Sequence, residues 1–326
     1  MINLIIKDGL GNQMFQYAYA RYLQECYRQE GVEEKLVINP YFIHHTTFQD
    51  NDFREMSIQH FVLNTQVSFQ TLEEQKKSMS DFKIKILKAT NIVDLFNWKV
   101  RKIKPAGKER FLKRVRHGLY YTFFAYSNYG APLCECKNKY VFGFFQDEHN
   151  FHPIADIIRA EFIVKDNPSE KNRRMIEHIK NVNSICLHIR RGDYLNPRWA
   201  NLQICTFDYY NNAINEILRR VEKPVFFVFS NSHNDLEWIR ENYHFRDVNG
   251  EKDIELVYVD LENPDYEELR LMYSCKHFII SNSTFSWWGA YLSTYPQKMI
   301  FVPERWNLAV DNDISIFMKD WIKVKL

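Results

Sequence analysis

The carboxyl-terminal half of the chain alternates between short apolar runs and segments with helical periodicity. The apolar runs predict five strands, at 182–190, 224–230, 254–260, 277–281 and 299–303. Between them, apolar residues recur at three- and four-residue spacing, which predicts helices at 207–221, 235–243, 264–275 and 285–293. Near-continuous apolar strands are typical of parallel sheets that are covered on both faces. The pattern therefore predicts a doubly wound α/β domain.

The amino-terminal half begins with the same kind of unit. Residues 2–7 predict a buried strand, Gly9 and Gly11 mark a turn, and a helix follows to about Glu30. Residues 36–39 predict the next strand. A chain of 326 residues has room for two domains. We therefore expect an amino-terminal Rossmann-like domain at 1–165 and a carboxyl-terminal one at 166–326, both α/β and facing a cleft.

Composition narrows the class of protein without assigning a function. A net charge of +2 gives no reason to expect nucleic acid as a partner, and 45% hydrophobic with 26% charged residues is typical of a soluble protein. The first apolar run ends at Lys7, too early for a signal peptide or a membrane anchor, so we expect a cytoplasmic protein. The six cysteines lack the paired spacing of a zinc site, and we expect reduced thiols.

One segment differs strongly from this average. Residues 81–118 contain twelve Lys or Arg and three acidic residues. They form either a solvated helical face or a basic surface that attracts an anionic membrane or the phosphates of a lipid-linked acceptor.

A first candidate site is the segment from Gly9 to Gln13, between a strand and a helix. Glycine lets the backbone approach a ligand closely, and the N–H groups at a helix start attract anions. Met14 stands where a dinucleotide fingerprint requires its third glycine, which argues against a nicotinamide cofactor. The alternative is a tight turn without a ligand.

A second candidate site is HIRRGDY at 188–194. His188 and Arg190 project from the same face near the end of a predicted strand, where open α/β sheets bind ligands. A guanidinium group binds phosphate through two parallel hydrogen bonds, so Arg190 is a candidate phosphate ligand. Arg191 points the other way and is within reach of Asp193. The alternatives are a surface arginine pair and an ordinary core histidine.

Two further candidates follow predicted strands. The segment SNSTFSWWGA at 281–290 opens a helix with four polar side chains, which is typical of a phosphate site, although ordinary helix capping also uses such residues. We expect Trp287 and Trp288 in the core. Asp260 ends a strand and could accept hydrogen bonds from the N1–H and N2–H₂ groups of guanine, or act only as a loop or capping acid.

These features together favour a nucleotide-sugar site. A pyrophosphate that leaves with negative charge needs compensation, and without a metal that compensation comes from arginine and helix N-termini, each worth about 10²–10³ in rate. The spacing of His, Cys, Asp and Glu in the sequence does not predict a metal site.

Several segments, in this order and spacing, resemble the α-1,2-fucosyltransferase family, glycosyltransferase family 11. HIRRGDY and SNSTFSWWGA are the most specific of them. The others are GLGNQMFQYAYARYL, GFFQDEHNF at 143–151, ICTFDYYNNAI at 204–214, and FFVFS with DLEWIRENY. The resemblance implies a GT-B arrangement of two Rossmann-like domains, GDP-β-L-fucose as donor, no required metal, and inversion at the transferred sugar.

The resemblance also implies roles for single residues. Arg190 matches the arginine that holds the β-phosphate of the donor, and His188 matches the histidine beside the nucleotide. The remaining matches are Gly11 and Asn12 in the loop that faces pyrophosphate and fucose, Ser283, Thr284 and Phe285 in the turn that contacts phosphate and base, and Asp260 as the guanine-binding acid.

Two departures from the family pattern are visible. Asp8 stands where the family often has a second glycine, and 229–235 replaces a common FSDD segment, so roles for that acidic pair do not transfer.

We therefore expect a cytoplasmic, metal-independent enzyme of polysaccharide biosynthesis that transfers L-fucose to the 2-hydroxyl of a terminal β-galactoside on an oligosaccharide or surface polysaccharide. The amino-terminal domain would be the acceptor side and the carboxyl-terminal domain the donor side. Arg190, Asn12 and Asp193 are the candidate catalytic residues, with Asp193 as a candidate base. The alternatives are another fucosyl linkage (α-1,3, α-1,6 or protein O-fucosylation), another nucleotide sugar, or a module that binds a nucleotide sugar without catalysis.

Overall fold

The chain divides into two compact units, Met1–Ile163 and Val164–Leu326, close to the predicted boundary after residue 165. A computed structural model of the protein describes residues 1–44, 55–103, 107–202, 205–246, 249–250, 253–308 and 316–326. No helix among the described residues combines the length and the apolar character needed to cross a bilayer. All six cysteines are free thiols.

The amino-terminal unit contains a five-stranded parallel sheet. Its strands are β1 (Ile2–Ile5), β2 (Leu36–Asn39), β3 (Val67–Phe69), β4 (Leu119–Tyr121) and β5 (Lys139–Phe142). Its helices are α1 (Leu10–Gln29), α2 (Tyr41–His44), α3 (Leu72–Met79), α4 (Phe82–Lys99), α5 (Lys108–Val115) and α6 (Ala155–Glu161). The strand order is β3-β2-β1-β5-β4.

The carboxyl-terminal unit contains a six-stranded parallel sheet. Its strands are β6 (Asn183–His188), β7 (Pro224–Phe229), β8 (Leu256–Tyr258), β9 (His277–Ile279), β10 (Ile300–Pro303) and β11 (Ile322–Val324). Its helices are α7 (Glu170–Asn181), α8 (Phe207–Leu218), α9 (His233–Asn242), α10 (Asp265–Ser274) and α11 (Thr284–Leu292). The order β11-β10-β9-β6-β7-β8 is the Rossmann order, because the chain starts at a central strand and fills one side before the other.

The α/β prediction is confirmed in both units, and the parallel sheets are those expected of the GT-B type. The central strands are buried along their whole apolar length, as the near-continuous apolar runs require. The core of the carboxyl-terminal unit joins β6 and β7 to α8, with Ile185, Phe226 and Ile214 among its fully buried side chains.

Sequence reasoning missed the short strands β3, β4, β5 and β11. Each has only three or four residues. It also placed strand ends too late. Asp260 and Ser281 were predicted at strand ends, but they follow β8 and β9 by two residues.

Candidate functional site

The carboxyl ends of β6 and β9 lie side by side at the centre of the carboxyl-terminal sheet. Strand order reverses between these two strands, and open α/β sheets bind ligands outside the strand ends at such a switch point. The register pairs Leu187 with Ile279, so the residues that follow, His188 and Ser281, emerge at the same edge. Two of the predicted segments, 188–194 and 281–290, therefore meet there.

His188 is a buried, neutral member of this site. Its side chain is 3% exposed, and its Nδ1 lies 2.9 Å from the Ser281 hydroxyl oxygen. Burial and, as the smaller cause, the charge of Arg190 together lower the pKa of His188 to about 3. The ring is therefore uncharged near pH 7. It can donate or accept one hydrogen bond at Nε2 without adding positive charge to the site.

Arg190 lies over an aromatic ring at the mouth of the same site. Its guanidinium carbon is 5.0 Å from the centroid of the Tyr194 ring, and the Tyr194 hydroxyl donates to the Asn282 carbonyl at 3.0 Å. Asn282 is 1% exposed, and its amide donates to the carbonyls of Leu202 and Trp306 at 3.1 and 2.9 Å. Arg190 is thereby linked to the 281–290 segment through Tyr194, a residue to which the sequence analysis gave no role.

Arg191 has an aromatic partner that its spacing did not suggest. Its guanidinium lies over the Trp238 ring, 3.5 Å from the centroid. The backbone of Asp193 lies in the turn Gly192–Leu195, but its side chain is outside the described part of the structure, so its predicted role as a base stays a prediction. The structural role foreseen for Arg191 is therefore fulfilled by stacking on α9.

The arginine loop is attached to the start of α9. The Gly192 N–H donates to Asp235 Oδ1 at 3.3 Å, and Asp235 also pairs with the Ser232 hydroxyl that caps α9. Gly192 has a φ of +29°, and a Cβ there would lie 3.0 Å from the Asn231 side chain. Asp235 thus positions the loop even though 229–235 departs from the FSDD pattern.

Ser283, Thr284 and Phe285 form the amino end of α11. The Trp287 N–H donates to the Ser283 carbonyl at 2.9 Å. Ser283 is the N-cap residue, and among the described residues its side chain makes no capping hydrogen bond. The first turn contains no acidic residue. No carboxylate in this first turn therefore offsets the positive end of the helix dipole, so the amino end of α11 favours binding of an anion. The Phe285 ring lies 6.3 Å from that of His188.

The two tryptophans of α11 are core residues, as predicted. Trp287 and Trp288 are both 0% exposed. The Trp287 indole N–H donates to the Ile316 carbonyl at 2.8 Å, and its ring stacks on Tyr291 at 4.9 Å between centroids. They fix α11 and do not form a sugar platform.

Asp260 follows β8, two strands away from β6, so it lies at the far side of the same sheet edge. Its Oδ2 is 2.5 Å from His233 Nδ1, and this hydrogen bond raises the pKa of His233. The ligand atoms of His233, Glu237 and Asp260 lie within 4.8 Å of one another, a set that could hold a metal ion. The sequence spacing did not reveal it, because β8 brings Asp260 to α9 only in the fold.

Glu268 in α10 is a further residue that the sequence analysis missed. Burial, followed by the charges of Asp265 and Asp260, raises its pKa to about 8. It is therefore largely protonated near pH 7 and can donate a hydrogen bond close to Asp260.

The amino-terminal unit has its own switch point, between β1 and β5. The helix starts at Leu10, so Gly11 and Asn12 lie in the first turn of α1 and not in a loop. Asn12 Oδ1 accepts a hydrogen bond from Gln146 Nε2 at 2.7 Å, which joins the GLGNQ and GFFQDEHNF segments. Gln13 is buried and donates to the carbonyls of Asp8 and Glu55, so its role is structural.

Asp8 explains one departure from the family pattern. Its φ is +65°, in the left-handed region that glycine adopts without cost and that Asp tolerates better than most residues. The backbone conformation usually provided by a glycine is therefore kept here by an aspartate.

The two parallel sheets and the polar carboxyl ends of their central strands define an α/β protein of the Rossmann class. The sequence profile of glycosyl transferase family 11 matches residues 1–325, and the chain belongs to that family.

Three relatives show the range of this family. The chain is 30% identical to the O-antigen biosynthesis glycosyltransferase WbnK of Escherichia coli, over 98% of this chain and 99% of that protein. It is 28% identical to an α-1,2-colitosyltransferase of Escherichia coli, over 98% and 97% of the two chains. It is also 28% identical to galactoside α-(1,2)-fucosyltransferase 1 of Ateles belzebuth, over 53% and 49%. Among solved structures, NodZ α-1,6-fucosyltransferase soaked with GDP-fucose aligns over 92% of this chain and 94% of that one, with 12% identity and a TM-score of 0.48.

Proposed function

We propose that the protein transfers L-fucose from GDP-β-L-fucose to the 2-hydroxyl of a terminal β-galactoside, with inversion at the fucose C1. The observation that carries the proposal is the meeting of Arg190, neutral His188 and the uncapped start of α11 at the switch point of a Rossmann-ordered sheet. Membership of family 11, with relatives named for α-1,2 transfer, supports the linkage.

The donor diphosphate would bind between Arg190 and the 283–285 turn. In a direct displacement at C1, the bond to the β-phosphate oxygen breaks and the diphosphate leaves with added negative charge. A guanidinium group and helix N–H dipoles that are already in place stabilise that charge without reorganisation, and one such donor contributes about 10²–10³ in rate. We therefore propose that no metal is required.

The guanine base would lie toward β8, where Asp260 could accept from N1–H and N2–H₂. One carboxylate oxygen of Asp260 is hydrogen-bonded to His233, which leaves the other oxygen for the guanine base. Neutral His188 would contact the nucleotide through Nε2, since Ser281 occupies Nδ1. Glu268, protonated because its pKa is raised to about 8, would keep the charge near Asp260 low.

The amino-terminal unit would contribute Gly11 and Asn12, with Asn12 oriented by Gln146. An amide side chain can hydrogen-bond to sugar hydroxyls as donor and acceptor. The acceptor hydroxyl must lose its proton as it attacks C1, and Asp193 is the proposed base.

The test uses the purified chain with GDP-fucose, GDP-mannose and UDP-galactose in separate reactions, and with Galβ1-3 and Galβ1-4 disaccharides as acceptors. We expect a product only from GDP-fucose, and NMR of that product should show a fucosyl α-1,2 linkage. Activity should persist in EDTA. A 3- or 6-linked product, transfer from another donor, or loss of activity in EDTA that Mg²⁺ restores would each contradict the corresponding part of the proposal.

A second donor is favoured by one observation, the full-length similarity to an α-1,2-colitosyltransferase. Colitose is fucose without the 3-hydroxyl, so the two donors present the same diphosphate and differ at one polar group. A site that hydrogen-bonds the 3-hydroxyl rejects the deoxy sugar by about 10⁴–10⁵, whereas an apolar site tolerates both. The ratio of kcat/KM for GDP-fucose and GDP-colitose therefore decides which sugar is the donor.

A further inference from the structure

Exposed large apolar residues are concentrated in one part of the amino-terminal unit. Eighteen such residues occur in the described part of the chain, and nine of them lie between 82 and 112. The nine are Phe82, Ile92, Val93, Leu95, Phe96, Trp98, Val100, Ile103 and Leu112. A cluster of this size marks an interaction site more often than chance exposure does.

The apolar residues form a ridge along α4. Ile92, Phe96 and Val100 follow one another at four-residue spacing, which places them on one face, and they are 66%, 50% and 63% exposed. The opposite face is buried and carries Ile84 and Leu87. The helix therefore has two apolar faces, and only one of them packs on the unit.

The buried face is held by specific polar contacts, so the helix cannot rotate the ridge inward at low cost. Asp94 is 2% exposed and pairs with Arg114 at 3.3 Å and with Arg110 at 3.8 Å, which joins α4 to α5. The Tyr121 hydroxyl donates to Asn91 Oδ1 at 3.1 Å. Turning α4 would remove Asp94 from both arginines and leave a carboxylate without its cations.

The ridge is surrounded by positive charge. Eight basic residues of the segment are exposed: Lys85, Lys99, Arg101, Lys102, Lys108, Arg110, Lys113 and Arg116. The acids of the segment offset little of this charge at the surface. Asp94 is buried, Asp81 caps α4 and accepts from the Tyr140 hydroxyl at 2.8 Å, and Glu109 pairs with Lys113 at 2.7 Å.

We propose that the α4–α5 surface, formed by the described residues of 82–116, binds an anionic bilayer. Ile92, Phe96 and Val100 would enter the layer between headgroups and acyl chains, and the basic residues would contact lipid phosphates. α4 would lie in the plane of the surface, because it carries four lysines in its 18 residues. A symmetric contact with a second copy of the chain is less favourable, since it would bring two sets of like charges together.

This inference goes beyond the proposed function and depends on neither the donor nor the acceptor. Its test is flotation of the purified full-length chain with vesicles of phosphatidylcholine alone or mixed with phosphatidylglycerol. We expect flotation only with phosphatidylglycerol, and weakening as salt is raised. Ile92→Ser with Phe96→Ser should reduce the partition coefficient at least about tenfold. Lys99→Gln, Arg101→Gln and Lys102→Gln together should reduce it about fivefold per charge.

Matched controls separate this surface from general effects of mutation. Val32→Ser with Leu133→Ser removes two apolar side chains of 44% and 41% exposure from the same unit, and Lys180→Gln, Lys319→Gln and Lys323→Gln remove three exposed charges from the other. Both controls should float like the original chain. Turnover of a soluble acceptor should be unchanged in every variant.

Three results would overturn the proposal. The first is that the original chain fails to float with phosphatidylglycerol, and the second is that the control and test variants float equally. The third is a dimer in light scattering that Ile92→Ser with Phe96→Ser dissociates, which would identify a second copy as the partner. If the apolar variant proves unfolded by circular dichroism, the charge variant decides the question alone.

Discussion

The two units have a switch point at the same place in their sheets, but different side chains surround it. In both, the strand order reverses beside the first strand, and a helix begins just after that strand or its neighbour. At the carboxyl-terminal switch point, Arg190 and the start of α11 accompany a neutral histidine. At the amino-terminal one, Asn12 is hydrogen-bonded to Gln146, and the Lys7 amine lies over the Phe144 ring at 3.9 Å.

The difference indicates that sheet topology determines where a site can form, whereas the side chains there determine which ligand it can bind. A guanidinium group with uncapped N–H dipoles suits a diphosphate. An amide pair suits neutral hydroxyl groups, and burial lowers the pKa of the Lys7 amine. Substitutions centred on four positions, with their controls, test this contrast.

The largest effect is expected at Arg190. Arg190→Ala should lower kcat at least about 100-fold, because it removes the cation proposed to stabilise the departing diphosphate. Arg190→Lys should lower kcat less, since lysine keeps the positive charge but lacks the two parallel N–H donors of the guanidinium group. Arg219→Ala, an exposed arginine of the same unit that pairs with Glu216, is the control and should be neutral. Near-normal turnover in a folded Arg190→Ala protein would remove Arg190 from the mechanism.

The next effect concerns acid stability and His188. The folded-state pKa of about 3 lies below the ordinary value of 6.5, so the unfolded chain binds the proton more readily. The contribution of neutral His188 is present above about pH 6.5 and is lost as pH falls toward 3. Between pH 7 and 5, the original chain should lose about 2 kcal/mol more unfolding free energy than His188→Gln. Denaturant titration at both pH values measures it, and parallel pH profiles would show that His188 is not buried as described.

A smaller effect is expected at the amino-terminal switch point. Asn12→Ala should lower kcat about tenfold by removing a neutral hydrogen-bond partner. GDP affinity should stay within about threefold, because the charge contacts proposed for the diphosphate lie in the other unit. Gln146→Ala should also lower kcat, but by a smaller factor, since it removes only the hydrogen bond that orients Asn12. Calorimetry with GDP separates the units, and an equal loss of GDP affinity in Asn12→Ala and Arg190→Ala would abolish the contrast.

The smallest effect is expected at Asp8. Asp8→Gly should raise the unfolding free energy by up to about 1 kcal/mol, because glycine adopts a positive φ without strain. Asp8→Val should lower it by at least as much, since a β-branched residue fits that conformation poorly. Thermal unfolding of both variants checks the sign. Equal stability of the glycine and valine variants would contradict the strained turn.

The sequence predicted the α/β class and placed two candidate segments at strand ends because both inferences depend on long apolar strands. The strands 182–190 and 277–281 ended close to where β6 and β9 end, which was enough to bring His188 together with the 281–290 segment. The expected core position of Trp287 and Trp288 is confirmed by their complete burial.

The sequence could not predict contacts made by residues far apart in the chain. Tyr194 with Asn282, Gln146 with Asn12, and His233 with Asp260 each depend on which strands are neighbours. The stacking of the Arg191 guanidinium on Trp238 of α9 is a further contact of this kind. The exposed ridge of α4 was hidden as well, because a helix with apolar residues all round gives no clue to which face is covered.

The burial of α11 limits which mutations this protein can accept during evolution. Seven of its nine residues are buried, and the Trp287 indole ties it to Ile316. A mutation that moved the amino end of α11, where the diphosphate is proposed to bind, would have to repack that whole interior at once. Under the proposed function, new sugar preferences are therefore most accessible through changes in surface loops, while the residues that hold α11 stay the same.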